Sequence, residues 1–100
     1  MNDKRPLPLS IVYSRRFCRD VISMTRHNIR QRELDEVLEI LINRAPLPKG
    51  YKDHRLTNHK KWNGCRELHI RENWLLVYYC EDDSLNLVAM GTHGDLEIVK

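Results

Sequence analysis

The chain has 100 residues, of which 41% are hydrophobic and 31% are charged, with a formal net charge of +3. This length provides for one hydrophobic core, so we expect one domain over residues 1–100 and exclude large multi-site enzymes. No apolar run approaches the roughly 20 residues of a membrane span, and residues 1–10 are too polar for a signal peptide. We therefore expect a cytoplasmic protein with no membrane partner.

The charges are segregated along the chain. Residues 1–32 and residues 44–71 each carry eight lysines and arginines against two acidic residues, a local balance of +6, whereas residues 33–43 and the last twenty residues are acidic. Two basic stretches on one fold would attract phosphates or an acidic protein. The alternative interpretation is a basic face that only keeps the protein in solution.

The N-terminal half predicts a strand followed by two helices. Residues 9–13 form a short β-branched run, which is typical of a strand. Ser14 stands where an N-cap would, ahead of apolar residues at helical spacing, and predicts a first helix over residues 15–27. From Ile29 onward the apolar residues recur at i, i+3, i+4, i+7 and i+8, which predicts a second helix. It must end by Ala45, because prolines follow.

The C-terminal half predicts a long loop and a three-stranded meander. Residues 46–63 show no periodicity, so we expect a loop with at most a short extended piece, of a length that is often functional. Strands are predicted over residues 65–70, which alternate, 74–80, which are apolar on both faces, and 85–90. The predicted fold is a small α+β domain of order β-α-α-β-β-β, with two helices packed on an antiparallel sheet.

Three cysteines, Cys18, Cys65 and Cys80, occur in unrelated contexts and without Cys-x-x-Cys spacing. A free cysteine behaves as a small hydrophobic residue, so we expect buried thiols. A nucleophile or an incidental metal contact is the alternative.

Four of the five histidines fall in regions that the predicted topology can bring together. His54 and His59 belong to the long loop, His69 lies on the polar face of a strand, and His93 follows the last strand. A zinc site would explain such a cluster, but no pair has the short spacing of a structural site and no cysteine accompanies them. We therefore expect no metal and no cofactor. Taken singly, each histidine can also be an ordinary hydrogen-bonded side chain.

The same residue types suit RNA cleavage without a metal. This reaction needs a base for the 2′-hydroxyl proton, an acid for the leaving 5′-oxygen, and cations for the charge that grows on the phosphate. Histidine and carboxylate provide the first two near neutral pH, and arginine and lysine provide the third. Composition alone favours a basic binding module over this interpretation.

Three ordered segments carry a family resemblance: residues 46–56 (PLPKGYKDHRL), 62–78 (WNGCRELHIRENWLLVY) and 91–96 (GTHGDL). Together they resemble the YafQ branch of RelE-type toxins, over nearly the whole chain. The resemblance implies a RelE-like fold and a bacterial type II toxin, a cytoplasmic ribonuclease that cuts mRNA in the A site of the 70S ribosome. It also implies inhibition by a cognate antitoxin, with promoter DNA bound only through that antitoxin.

The resemblance also assigns catalytic residues. His93 takes the role of general acid and Arg66 that of a phosphate-stabilising cation. His54 or His69 can act as the base, with Glu67 orienting one of them. The pattern thus implies a catalytic group of His54, His69, His93, Glu67 and Arg66.

A second group is expected to bind substrate: Lys52, Lys60, Lys61, Trp62, Asn73 and Glu97. For Trp62, stacking on a nucleobase competes with packing, whereas Trp74 is expected to be structural. Asn73 stands where the family commonly has an aspartate implicated in proton transfer, and an amide cannot take up that proton. Glu97 stands where the family usually has an aromatic residue.

These two departures keep alternatives open. One is a catalytically weakened relative that retains only the surface that binds the ribosome or a partner. The other is a gyrase poison of the ParE kind on the same fold, which would not need the histidines.

Overall fold

The computed structural model describes residues 7–98 of the chain. This part contains strands β1 (Ser10–Tyr13), β2 (His54–Arg55), β3 (Arg66–Arg71), β4 (Trp74–Glu81) and β5 (Ser84–Gly91), helices α1 (Arg15–Arg26), α2 (Gln31–Ile42) and α3 (His93–Leu96), and a 3-10 turn at Lys49–Tyr51. The predicted α+β class and element order are confirmed. The sequence pattern did not predict α3, and β2 is the short extended piece within the long loop.

The five strands form one sheet in the order β1-β5-β4-β3-β2. Strands β2 to β5 pair antiparallel, as predicted for the meander. Strand β1 is the exception, because it pairs parallel with β5. A parallel pair needs a long connection, which the two helices and the following strands provide.

Local sequence explains where the two long helices begin and end. The Ser14 hydroxyl accepts a hydrogen bond from the Phe17 amide at 2.9 Å, which is the predicted N-cap of α1. Helix α2 ends at Ile42, ahead of the prolines. Both helices pack their apolar faces on one side of the sheet, and this larger core includes Phe17, Met24, Leu34, Val37, Leu68, Leu76 and Leu87.

A second, smaller core covers the opposite side of the sheet. It consists of Leu56, Trp62, Leu75, Val77, Ala89, Leu96 and Ile98. The loop between α2 and β3 contributes the first two of these residues, and α3 with the residue after its C-cap contributes the last two. Strand β4 is therefore buried on both faces, which confirms the prediction of an internal strand. The second core lies on the side of β3 that carries Glu67 and His69.

The three cysteines are free, but the prediction that all of them are buried is wrong. Cys18, on α1, and Cys80, near the end of β4, are exposed, whereas Cys65 is partly buried. Partial burial raises the pKa of Cys65, which disfavours the nucleophilic thiolate.

Within residues 7–98, the helices are too short or too polar to cross a membrane.

Candidate active site

Glu67 lies at the centre of the cluster that the histidines form. Its Oε1 atom is 3.1 Å from Nε2 of His69, two residues further along β3, and 3.9 Å from Nε2 of His54. His54 is the register partner of Glu67 across the β2–β3 pair. The ring of His93, at the start of α3, has its centre 5.6 Å from that of His69, with the ring planes at 67°. The structure thus brings together the three histidines and the carboxylate that the sequence singled out.

The exposed fraction of the side chains differs widely within the cluster. Glu67 is only 2% exposed, the His69 side chain is 11% exposed and the His54 side chain is 52% exposed. Among the described residues, Oε2 of Glu67 and Nδ1 of His69 are buried and have no hydrogen-bond partner. Buried polar atoms normally find a partner. These two atoms are therefore unsatisfied in this arrangement of the cluster.

The hydrogen bonds fix how the hydrogens of two rings are arranged. Nδ1 of His54 lies 2.8 Å from the Lys52 carbonyl oxygen. Because a carbonyl only accepts, Nδ1 carries the hydrogen, and Nε2 of the neutral ring is an unprotonated acceptor. By the same argument, His69 donates from Nε2 to the Glu67 carboxylate. His54 is thus held in the tautomer of a base whose acceptor atom faces Glu67.

An open cavity of about 470 Å³ contains this cluster. Its lining consists of Lys52, His54, Arg55, Leu56, Thr57, His59, Glu67, His69, Glu72, His93 and Ile98. This size is within the range of small-molecule sites, about 300–1,000 Å³. Among the predicted substrate-binding residues, Lys52 lines the cavity.

Arg66 lies outside this cavity, so this arrangement lends no support to the prediction that it stabilises the scissile phosphate. Adjacent residues of a strand point to opposite faces, and Arg66 therefore points away from its neighbour Glu67. It donates two hydrogen bonds to Asp53, at 2.7 Å from Nη2 and 3.2 Å from Nε. These bonds raise the pKa of the Arg66 guanidinium. The basic residues in the lining are Lys52 and Arg55, but Arg55 is the register partner of Arg66 and also lines a separate cavity with it.

Trp62 is buried rather than available to a nucleobase. It is 5% exposed, and its indole Nε1 donates to the Leu96 carbonyl oxygen at 2.6 Å. Arg16 and Lys61 lie over its ring at 5.4 and 5.1 Å from the ring centre. The burial and this hydrogen bond therefore favour the packing alternative over stacking on a nucleobase. Trp74 is also buried, as expected of a structural aromatic.

The remaining predicted substrate-binding residues lie outside the cavity. Lys60 and Lys61 are exposed. Asn73 lines a separate cavity of about 170 Å³, on the other side of the β3–β4 turn. Glu97 is exposed and is the C-cap of α3, with a left-handed backbone at φ 58°.

Sequence reasoning did not assign a role to Arg55, Thr57 or Glu72, which all line the cavity. Arg55 and Thr57 lie in and after a strand of two residues, which is too short to show an alternating pattern. For Arg55, the signal was its position next to His54 in a basic segment. Glu72 lies in the tight turn between β3 and β4, and its charge alone carries no positional information.

Three members of the cluster could also hold a metal ion. Glu67, His69 and His93 each offer one ligand atom, and these atoms lie within 4.8 Å of one another. Two imidazoles and a carboxylate are a donor set that zinc and copper accept. Short sequence spacing does not reveal this set, because His93 lies far from Glu67 and His69 in the chain.

The site and fold have known counterparts. Residues 9–98 match the family described as a bacterial toxin of type II toxin–antitoxin system, YafQ. The mRNA interferase toxin YafQ of Escherichia coli strain B / BL21-DE3 is 36% identical over 87 residues, which cover 86% of this chain and 92% of that protein.

Solved structures agree with this match. The chain resembles one in the E. coli DinJ-YafQ toxin–antitoxin complex, with a TM-score of 0.78 and 33% identity, over 89% of this chain and 97% of that one. It resembles a metal-bound toxin from Helicobacter pylori with a TM-score of 0.79 and 32% identity, over 88% of this chain and 98% of that one.

Proposed function

This chain belongs to the YafQ family of bacterial toxins of type II toxin–antitoxin systems, and on that premise we propose that it cuts mRNA by metal-independent acid–base catalysis. The observation that carries the proposal is the contact of one buried carboxylate, Glu67, with two imidazoles, beside a third at the start of α3. Burial of a charged carboxylate costs free energy, and titratable groups that are held in this way in a cavity are concentrated at functional sites.

The cluster contains a base and an acid for the reaction. Nε2 of His54 takes the proton of the 2′-hydroxyl, and the 2′-oxygen attacks the phosphorus. The bond to the 5′-oxygen breaks as His93 protonates that oxygen. The products are a 2′,3′-cyclic phosphate and a 5′-hydroxyl, and each group is expected to contribute about 10²- to 10⁴-fold to the rate.

Glu67 and Lys52 support these two steps. When His54 takes a proton, the nearby Glu67 carboxylate stabilises the imidazolium that forms. The Glu67–His69 hydrogen bond fixes the His69 ring, against which His93 packs. Lys52 lines the same cavity and stabilises the negative charge that grows on the phosphate.

The substrate and partners follow from the family and the charge distribution. We propose that the substrate is mRNA in the A site of the 70S ribosome, in the bacterial cytoplasm. Exposed arginines on α1, such as Arg15, Arg19 and Arg26, offer contacts to ribosomal RNA phosphates. We also propose a cognate antitoxin, since the related E. coli toxin was solved with DinJ. Promoter DNA would be bound only through that antitoxin.

Mapping of transcript 5′ ends soon after induction tests this function. We expect cuts in register with the reading frame for the wild type, 5′-hydroxyl ends, and loss of cutting for His93→Ala. His27→Ala is the matched control, because His27 is exposed and lies against Trp74, outside the cavity. Equal cutting by wild type and His93→Ala would exclude His93 as the acid. Cuts without frame register would exclude ribosome dependence, and DNA-damage signalling with intact mRNA would indicate a gyrase poison.

A further inference from the structure

We propose that Trp62 and Arg16 are positioning residues that hold helix α3, and with it the His93 ring, in the catalytic geometry. The inference rests on the proposed function, since it concerns what fixes the general acid. Both side chains bind carbonyl oxygens at the C-terminal end of α3, and both lie outside the cavity that contains the histidines.

Helix α3 needs such external support because it has only four residues, His93–Leu96. A helix of about one turn is not stable alone, since its nucleation costs more than its few hydrogen bonds return. Its N-terminal end is closed locally: the Asp95 amide donates to the Thr92 hydroxyl and the Thr92 amide donates to the Asp95 carboxylate, both at 3.1 Å. These bonds shape the turn but do not attach it to the rest of the molecule.

Trp62 makes the first attachment at the other end. The last carbonyls of a helix have no partner within the helix. The Leu96 carbonyl receives the Trp62 indole N–H at 2.6 Å in a buried environment, across 34 residues of chain. The two side chains share the second core, where Leu96 is fully buried. Loss of this donor would leave a buried carbonyl unsatisfied and release the end of α3.

Arg16 makes the second attachment. Its Nη2 donates to the Asp95 carbonyl at 3.0 Å, and its guanidinium carbon lies 5.4 Å from the centre of the Trp62 ring. Arg16 is itself held by Asp20, whose carboxylate accepts from Nε of Arg16 at 3.4 Å and from the Met90 amide at 2.8 Å. The α3 carbonyls are thereby connected to α1 and β5, so the turn cannot rotate independently of the sheet.

The position of α3 determines where the acid points. His93 is the first residue of α3, and its carbonyl accepts from the Ile98 amide at 3.0 Å, so its backbone belongs to the same small unit. The His93 ring is edge-on to His69, with the ring centres 5.6 Å apart. A displacement of about 1 Å in a catalytic group can reduce the rate by about 10²-fold.

The test compares Trp62→Phe with Trp74→Phe in the full-length protein. Both tryptophans are buried, at 5% and 2% exposure, but among the described residues the Trp74 indole nitrogen has no hydrogen-bond partner. We expect Trp62→Phe to lower kcat by about 10- to 100-fold at unchanged KM, because binding groups are intact and only the acid is misplaced. We expect Trp74→Phe to change kcat by less than about twofold, since it loses no hydrogen bond.

Two further measurements separate positioning from general destabilisation. The NMR signals of the His93 ring should shift in Trp62→Phe while those of His54 stay in place. Arg16→Gln, a change in a side chain that is partly exposed, should shift the same His93 signals, and Arg16→Lys should restore part of the kcat lost in Arg16→Gln. Thermal unfolding of each variant shows whether the measured chain is folded at the assay temperature.

The outcomes distinguish this inference from the proposed function. If His93→Ala cuts mRNA as fast as wild type, the proposed function is wrong. Suppose instead that His93→Ala is inactive, but that Trp62→Phe and Arg16→Gln have the same kcat and the same His93 signals as Trp74→Phe. The positioning inference is then wrong and the proposed function stands. A loss of kcat with unchanged His93 signals also overturns the inference.

Discussion

Asp53 and Arg66 form an ion pair with two hydrogen bonds on the side of the sheet opposite to the histidine cavity, at 2.7 and 3.2 Å. The Tyr78 hydroxyl donates to the same carboxylate at 2.5 Å. Burial, and then this hydrogen bond, raise the pKa of Tyr78, so it remains a donor at neutral pH. Asp53 directly precedes His54 in the sequence. These bonds therefore connect the residue before His54, the proposed base on β2, to Arg66 on β3 and Tyr78 on β4.

We expect Asp53→Asn to destabilise the fold. The amide cannot satisfy the Arg66 guanidinium and the Tyr78 hydroxyl as the carboxylate does. Because the Arg66 side chain is 41% exposed, water compensates in part, and the expected loss is about 1–2 kcal/mol. Urea unfolding measures it. Asp83→Asn is the control: that side chain is 89% exposed in its pair with Arg44, so the expected loss is less than about 0.5 kcal/mol. Equal urea midpoints for the two variants would contradict the prediction.

We expect Glu67→Gln to lower the cleavage rate by at least about tenfold while the protein stays folded. Glutamine keeps the size of the side chain and can still accept from His69. It removes the negative charge that stabilises a protonated His54. Single-turnover cleavage and thermal unfolding measure the two effects. The control is Glu36→Gln, a change in an exposed side chain that pairs with Arg32 on α2. A wild-type rate in Glu67→Gln would show that the carboxylate is not used.

The ion pair between Glu33 and Arg71 should make stability depend on pH. Hydrogen bonds from Arg71, and then from the Arg30 amide, hold the pKa of Glu33 below its ordinary value of 4.5. A carboxyl with a lowered pKa in the folded state stabilises the protein above its unfolded pKa, and this contribution is lost as the pH falls through the folded pKa.

The variant that tests this pair is Glu33→Gln, with all other residues left as wild type so that only one charge changes. We expect its melting temperature to be below that of wild type at pH 7, and the difference to shrink as the pH falls below 4.5. The difference is expected to be small even at pH 7, where it is largest, because the pair is close to solvent. A difference that grows on acidification would contradict the sign.

Chelation should leave cleavage intact, whereas added zinc should inhibit it. The proposed acid and base act as free imidazoles, so a zinc-selective chelator that leaves the Mg²⁺ of the ribosome in place should not lower the rate. Zinc bound by Glu67, His69 and His93, whose ligand atoms lie within 4.8 Å of one another, would occupy the acid. The measurement is the rate with zinc, and then with the zinc-selective chelator added, which should restore it. A rate that falls when this chelator is added to the zinc-free protein would exclude the metal-independent mechanism.

The sequence predicted the elements better than it predicted the neighbours of single side chains. Periodicity located α1, α2 and the meander, and ordered motifs identified His54, His69 and His93. The face of Arg66 could have been predicted, because it adjoins Glu67 on a strand and must point the other way. The proposed role of Trp62 could not have been predicted, since it depends on a hydrogen bond to the Leu96 carbonyl oxygen, 34 residues away in the chain. Loops without periodicity give no signal for such contacts.

Substitution of Asn73 and Glu97 tests whether the chain is a catalytically weakened relative of its family. Asn73 lies with Arg71 and Thr92 at a separate cavity, and Glu97 is exposed at the end of α3. Because the proposed base and the proposed acid already lie together in the histidine cavity, we expect Asn73→Asp combined with Glu97→Phe to raise cleavage only modestly, far below the ~10²- to 10⁴-fold that a general base contributes.

The measurement is single-turnover cleavage of mRNA by wild type, by each single variant and by the double variant. The single variants are needed because Glu97 has a left-handed backbone at φ 58°, and a bulky aromatic residue there adds strain that a rate alone does not separate from chemistry. If Asn73→Asp alone raises the rate a hundredfold or more, the amide limits catalysis, and the assignment of His54 as a sufficient base fails.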